Sequence, residues 1–321
     1  MNHQDLKTNL TFLFDGSTAI GLNMYMIMST DNGDNIKKAD LDEAIINDLK
    51  DKFLNNIKIE LIENTDLILK GISQADTRRN IVYHYDLEDQ LLGLKFLKNF
   101  SEDEHADLFS FSNDSLRNIS GFLFLIGSAD EKIALYKKMY PISLMQRDSA
   151  LMIFHSKTRF VKMEEDILKI DYKYDFLQIK NDLFILNTNT LEKYFGFEET
   201  IRKQAICNIN LIAAANLVQE IDSLNEMVTD IKFARKIMKL RRNSPVLNLP
   251  FVRIRSFIQA HPKLKKKLRF NDDESKISLD TKVSKELFLK LLDDDFLKSE
   301  LTELLYDSEI KAALENEEVI N

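Results

Sequence analysis

"LKIDYKYDFLQIKNDLFILNTNTLEKYFGFEETIRKQA" occupies residues 168–205 and changes its period part-way along. In its first half Leu168, Ile170 and Tyr172 alternate with Lys169, Asp171 and Lys173, the spacing of a strand with one face buried. The stretches "ALMIFHS" (150–156), "RFVKM" (159–163), "DILKIDYK" (166–173), "YDFLQIK" (174–180) and "DLFILNT" (182–188) follow one another with only tight turns between them. Such a succession predicts an antiparallel β-meander. From residue 188 the alternation stops. "TNTLEKYFG" opens with a capping Thr or Asn, and residues 197–243 can be helical nearly throughout, with a break expected near Asp222–Ser223. The chain therefore reads as α+β: a mixed domain over 1–195 containing the meander, then a mainly helical domain over 196–321 with a small β-hairpin.

Upstream, "AIGLNMYMIM" (19–28), "IKIELIE" (57–63), "NIVYHYDLE" (80–88) and "ISGFLFLIG" (119–127) are predicted strands. Leu41, Ile45, Leu49 and Phe53 predict an amphipathic helix, with Asp40 able to cap it and Glu43 three residues on. "ADEKIALYKKMYP" (129–141) reads as a helix closed by Pro141. Downstream, Pro250 suits the first turn of a helix in which Phe251, Ile254, Phe257 and Ile258 share a face. "LRFNDDESKISLD" (268–280) reads as the small hairpin, and residues 283–318 as a closing acidic helix.

Apolar residues form 44% of the 321 and charged residues 30%, the balance of a soluble globular chain. One cysteine excludes an internal disulfide and fits a reducing cytoplasm. Cys207 stands in the apolar stretch "QAICNINLIAAANL" and is expected to be a buried packing residue, because thiolate activation needs a nearby cation or His. No apolar run reaches the length of a membrane-spanning helix, and "MNHQDLKTNL" lacks the layout of a secretion signal. The expected location is the cytoplasm, with any membrane contact made through a protein partner.

Charge is segregated along the chain. The net charge is −8, with a sequence pI near 5.3. Yet residues 231–270 hold thirteen Lys or Arg and no acid, while 1–230 hold 25 bases against 37 acids and 271–321 hold 6 against 15. Lys232, Arg235, Lys236, Lys239 and Arg242 fall three and four residues apart, one stripe on a helix, with Arg241 beside them. Arg253 and Arg255 follow on the next helix, and "KLKKKLR" adds Lys263, Lys265, Lys266, Lys267 and Arg269. Phosphate is the natural partner of such a block. About six phosphate contacts would give log affinity a slope near −5 against log salt. No zinc finger, basic zipper or RNP motif accompanies it, so binding would tolerate any sequence. Two other readings exist: the block pairs with the chain's own acidic tail, or it docks an acidic protein or anionic lipid headgroups.

Catalytic signals are sparse. The five His (3, 84, 105, 155 and 261) show no metal-ligand spacing, and there is no Gly-rich phosphate loop and no G-x-S-x-G. No metal and no cofactor are expected. The one enzyme reading is a metal-dependent nuclease built on the acids at 164–166, Asp171 and Lys173. It competes with the plainer reading that Asp171 and Lys173 face solvent.

"RRNSPVLNLP", "FVRIRSFIQAHPKLKKKLRFNDDESKISLDTK" and "FLKLLDDDFLKSELTELLYDS", together with the 168–205 segment, resemble the Kiwa protein KwaB family, also described as DUF4868. The likeness covers roughly residues 165–310 in the right order, and is looser before that. It implies anti-phage defence by a DNA-binding partner of a membrane protein, KwaA, with no established catalytic centre. It transfers no site residues, so the thirteen cations rest on the charge argument. The combined expectation is a non-catalytic subunit that binds double-stranded phage DNA, recruited to the inner membrane by a KwaA-like partner and assembled as a homodimer or higher homo-oligomer. The alternatives are a nuclease, or a scaffold that binds only proteins.

Overall fold

Five residues from five strands lie side by side across one sheet: Met24, Phe124, Leu135, Leu177 and Phe184, each at most 2% exposed. The row one residue over, Tyr25, Leu123, Tyr136, Phe176 and Ile185, is buried too, on the opposite face. A sheet covered on both faces organises the first part of the molecule. These features come from a computed structural model that describes residues 3–16, 18–30, 33–75, 81–87, 91–103, 105–145, 153–156, 159–162, 165–240, 244–298 and 305–307.

The chain divides into two compact units, Met1–Phe197 and Glu198–Asn321. The first runs α1 (His3–Leu10), β1 (Gly21–Thr30), β2 (Gly33–Lys38), α2 (Glu43–Ile57), β3 (Ile68–Gly71), β4 (Ile81–His84), α3 (Leu92–Asp103), β5 (Asp107–Leu108), β6 (Ile119–Gly127) and β7 (Lys132–Lys138). Short strands β8 (Leu144–Met145), β9 (Ile153–Ser156), β10 (Arg159–Lys162) and β11 (Ile167–Leu168) follow, then β12 (Phe176–Ile179), β13 (Asp182–Ile185) and α4 (Thr188–Tyr194). Nine strands form one sheet in the order β3-β4-β13-β12-β7-β6-β1-β2-β5. Its interior pairs are antiparallel, and the outermost pairs, β3 with β4 and β2 with β5, are parallel. Phe53 of α2 packs on one face, 4.6 Å from Phe124 between ring centroids, and Phe100 of α3 meets Tyr25 on the other at 4.9 Å.

The expected strands at 19–28, 80–88 and 119–127 form. The α+β class holds, and the strands of 150–188 pair antiparallel. They do so in separate groups: β8 with β11, β9 with β10, and β12 with β13 inside the large sheet. Within "DILKIDYK" only Ile167 and Leu168 are strand.

Two expectations for this unit are corrected. "ADEKIALYKKMYP" is strand β7, not a helix. Ile133 to Lys137 are buried without a break, because both faces of the sheet are covered, so no alternation marked the strand. Conversely, "IKIELIE" is not a strand. The chain leaves α2 in a π turn over Lys58–Ile62, where the Glu63 N–H donates to Lys58 O five residues back. Its β-branched residues favoured a strand locally, but burial of Ile57 and Leu61 in the α2-side core overrode that preference.

The second unit holds α5 (Phe197–Ala214), α6 (Asp222–Met227), α7 (Ile231–Met238), α8 (Phe251–Ala260), α9 (Pro262–Lys265), the hairpin β14 (Arg269–Phe270) and β15 (Ile277–Ser278), α10 (Lys282–Leu292), and a second hairpin, β16 (Phe296–Lys298) with β17 (Leu305–Asp307). The break expected at 222–223 lies earlier. Asn216, at φ 53°, ends α5 in the left-handed region, and the linker after it pairs with β15 through the Ile277 N–H to Leu217 O at 2.9 Å and the Gln219 N–H to Ile277 O at 3.0 Å.

The closing acidic helix is also corrected, because α10 stops at Leu292. Asp294 turns left-handed at φ 56°, its N–H donates to Leu291 O, and the Asp295 N–H donates to Lys290 O. These are the two reversed bonds of a Schellman stop, made by Asp where Gly is usual, so no residue type signalled the stop.

Candidate nucleic-acid interface

The basic block begins on α7. Asp230 starts the helix, its Oδ1 accepting the Lys232 N–H at 2.9 Å. Phe233, Ala234, Ile237 and Met238 are buried, so the 3.6-residue period turns Lys232, Arg235, Lys236 and Lys239 to the other side. Lys232 and Lys236 are exposed; Arg235 and Lys239 are half-buried.

The C-terminal end of α7 is held from another helix. Asn208 is buried on α5, and its Nδ2 donates to the carbonyls of Ile237 (2.8 Å), Met238 (3.2 Å) and Leu240 (3.0 Å). Ile237 O also accepts the Leu240 N–H at 3.0 Å, so the Asn208 amide adds a side-chain donor where the backbone ladder of α7 runs out. Arg241 and Arg242 lie outside the described residues. Beyond them, buried Ser244 donates its Oγ to Leu292 O at 2.6 Å.

Pro250 stands just before α8, which buries Ile254 and Ile258 and leaves Arg253 exposed. In "KLKKKLR" the spacing does the positioning. Leu264 and Leu268, four apart, are buried, while Lys263, Lys265, Lys266, Lys267 and Arg269 are exposed. Two apolar pegs thus fix a turn whose remaining side chains are cationic. Phe270 meets Phe251 edge-on at 6.2 Å, tying the following hairpin to α8.

Some of these cations have carboxylate partners. Lys236 Nζ lies 3.2 Å from Glu286 Oε1 on α10, and Arg255 Nη1 lies 3.3 Å from Glu274 Oε2 in the β14–β15 turn. Among the described residues, the side chains of Lys232, Lys239, Arg253, Lys265, Lys266, Lys267 and Arg269 form no ion pair. Of the acidic tail expected as an alternative partner, residues 291–309, the stretches 291–298 and 305–307 are described and the rest lies outside the described residues.

The nuclease candidates sit elsewhere. Asp171 Oδ1 accepts Lys137 Nζ at 2.5 Å and the Lys173 N–H at 3.0 Å. Burial alone would raise the Asp171 carboxyl, but the Lys137 ammonium and the Lys173 N–H outweigh it and hold it below the usual carboxylate range. Glu165 and Asp166 are exposed, and Glu164 is outside the described residues. Among the described residues no group of three or more His, Cys, Asp or Glu converges as a metal site.

Cys207 is exposed, contrary to expectation. The inward face of α5 is Ile201, Ala205, Asn208, Ile209 and Ile212. The stretch is apolar nearly all round, so its composition could not tell the inner face from the outer.

Residues 116–302 match the family described as Kiwa protein KwaB-like. The chain belongs to that family. It is a component of Kiwa anti-phage defence. Over 98% of its length it is 26% identical to the whole of Kiwa protein KwaB from Escherichia coli O55:H7 (strain RM12579 / EPEC). No solved structure matches the chain. The basic block of this KwaB-like chain lies wholly inside the matched span, as do Asn208, Glu274 and Glu286. Those three were invisible to reasoning from the sequence, since each acts on a residue 19 to 50 positions away. Among the described residues no helix is long and apolar enough to cross a membrane.

Proposed function

We propose that this Kiwa component binds double-stranded DNA through phosphate contacts of its basic block, without reading base sequence and without chemistry of its own. The observation that carries this is the turn Lys265–Lys266–Lys267 with Arg269, four exposed cations that form no ion pair among the described residues. A cation left unpaired beside an otherwise acidic chain supplies a local field for a polyanion, and the acids elsewhere set its orientation by repulsion. Lys232, Lys239 and Arg253 extend the same chemistry, and Arg235, Lys236, Arg241, Arg242, Arg255 and Lys263 complete the thirteen. A planar base edge needs Asn, Gln or bidentate Arg for readout, and three of the four cations in the turn that carries the proposal are Lys, which favours point-charge contact with phosphate there.

Family membership alone supports the rest of the reading: a KwaA-like membrane partner, work at the cytoplasmic side of the inner membrane, homo-oligomeric assembly, and the blocking of phage DNA. The test is a binding titration on duplexes of unrelated sequence across a salt series, with and without Mg²⁺. Tight binding at low salt, equal across sequences, falling steeply with salt and leaving the duplex uncut, supports the proposal. Indifference to DNA at low salt removes it in favour of a protein-only scaffold.

A further inference from the structure

We infer that Glu274 and Glu286 are built-in competitors for the polyanion, occupying Arg255 and Lys236 until phosphate displaces them. This rests on the DNA-binding reading above and adds regulation of that site. Both carboxylates stand on rigid supports. Glu286 lies in α10, whose start is locked by reciprocal bonds between Thr281 and Ser284, and it directly precedes buried Leu287 and Phe288. Glu274 stands in a turn closed by the Asn271 N–H to Lys276 O at 3.0 Å and the Lys276 N–H to Asn271 Oδ1 at 2.8 Å. Asp273 Oδ1 there accepts the Ser275 N–H at 3.0 Å and the Ser275 Oγ at 2.6 Å.

Glu274 itself adopts φ 53°, a left-handed conformation unfavourable to a residue with a long side chain. Asn or Gly would suit that position better. A Glu held there by its neighbours, with its carboxylate 3.3 Å from Arg255, points to a use for the charge. A duplex phosphate must take each cation from its carboxylate and lie near that carboxylate while doing so. Dense, continuous polyanions pass this test more readily than sparse ones. The unpaired turn at Lys265–Lys267 makes first contact, and the two paired cations join only when the ligand offers enough charge.

The experiment compares full-length Glu274→Gln, Glu286→Gln and Glu274→Asn with Asp272→Asn in duplex-binding titrations. Asp272 is exposed in the same turn and forms no ion pair among the described residues, so its neutralisation reports the general effect of removing one negative charge. Glu274→Asn removes the carboxylate while suiting the left-handed backbone, which guards against loss of fold. The expected result is binding tightened roughly two- to five-fold per carboxylate beyond the Asp272→Asn control, the range of an exposed ion pair. Wild type that binds, with Glu274 and Glu286 variants no tighter than Asp272→Asn, overturns this inference alone. Wild type that ignores duplex at low salt overturns the DNA-binding reading and this one together.

Discussion

Asn208 on α5 donates its side-chain amide to Leu240 O at 3.0 Å and, from the same nitrogen, to Ile237 O and Met238 O, so one buried residue finishes the helix that carries the first basic stripe. Asn208→Ala leaves these acceptors without that donor and is expected to destabilise the second unit by about 1–3 kcal/mol. Asn208→Asp keeps the shape but sets an acceptor against the negative end of a helix, and should cost at least as much at neutral pH. Its introduced carboxyl would have a raised folded-state pKa, so that variant should regain stability as pH falls and the group becomes a donor. Urea unfolding at two pH values separates the two substitutions. Equal stability of wild type and both variants would show the contact to be idle.

Cys207 should react in the native protein. It is exposed on the face of α5 opposite Asn208 and Ile209, and so is expected to label with a maleimide without denaturant. Cys207→Ser should change stability by less than about 0.5 kcal/mol, as for an ordinary surface site. A thiol that labels only in urea would contradict the phase assigned to α5.

The Asp171–Lys137 pair should show in the pH dependence of stability. Its folded-state pKa is depressed, so its contribution is present above the unfolded value of about 3.9 and is lost as pH falls through the lower folded value. Asp171 is more than half exposed, which limits the pair to under about 1 kcal/mol. Lys137, however, is buried and would keep only the Lys173 carbonyl. The melting difference between wild type and Asp171→Ala is therefore expected to hold steady from pH 5 to 8 and to shrink below pH 4. Both proteins should leave plasmid uncut in Mg²⁺ or Mn²⁺. Cutting by wild type that Asp171→Ala abolishes would instead restore the nuclease reading.

The legible parts of the fold were those decided by neighbours a few residues apart. The strands around Met24 and Phe124 and the hairpin at 268–280 carried their own period or turn chemistry; the helix under Phe53 did so from Leu49 onward, while Asp42 rather than Asp40 precedes it and Ile45 is exposed. β7 was not legible, because Ile133 to Lys137 are buried continuously between two covered faces and a run of Ala, Leu, Tyr and Lys looks helical in isolation. The end of α10 was hidden because Asp294 does there what Gly usually does. The site divides the same way. Exposed lysines between Leu264 and Leu268 follow from local spacing, whereas the pairing of Lys236 with Glu286 and of Arg255 with Glu274 exists only after folding.

Reversing Lys265, Lys266 and Lys267 to Glu tests the proposed interface with little structural confounding. Leu264 and Leu268 anchor the turn, and the three lysines between them form no ion pair among the described residues, so native stability should change by no more than about 1 kcal/mol. Reversal at Lys236 is a poorer probe, because it would also set two carboxylates against each other across α7 and α10. If all three lysines touch phosphate, their loss removes about 0.9 from the salt slope for each contact, close to three in total. Affinity should fall equally on every duplex, since phosphate contacts position a protein and carry no base information. A loss confined to particular sequences would mean that this turn reads bases. Unchanged affinity with an unchanged slope would move the interface away from the turn altogether.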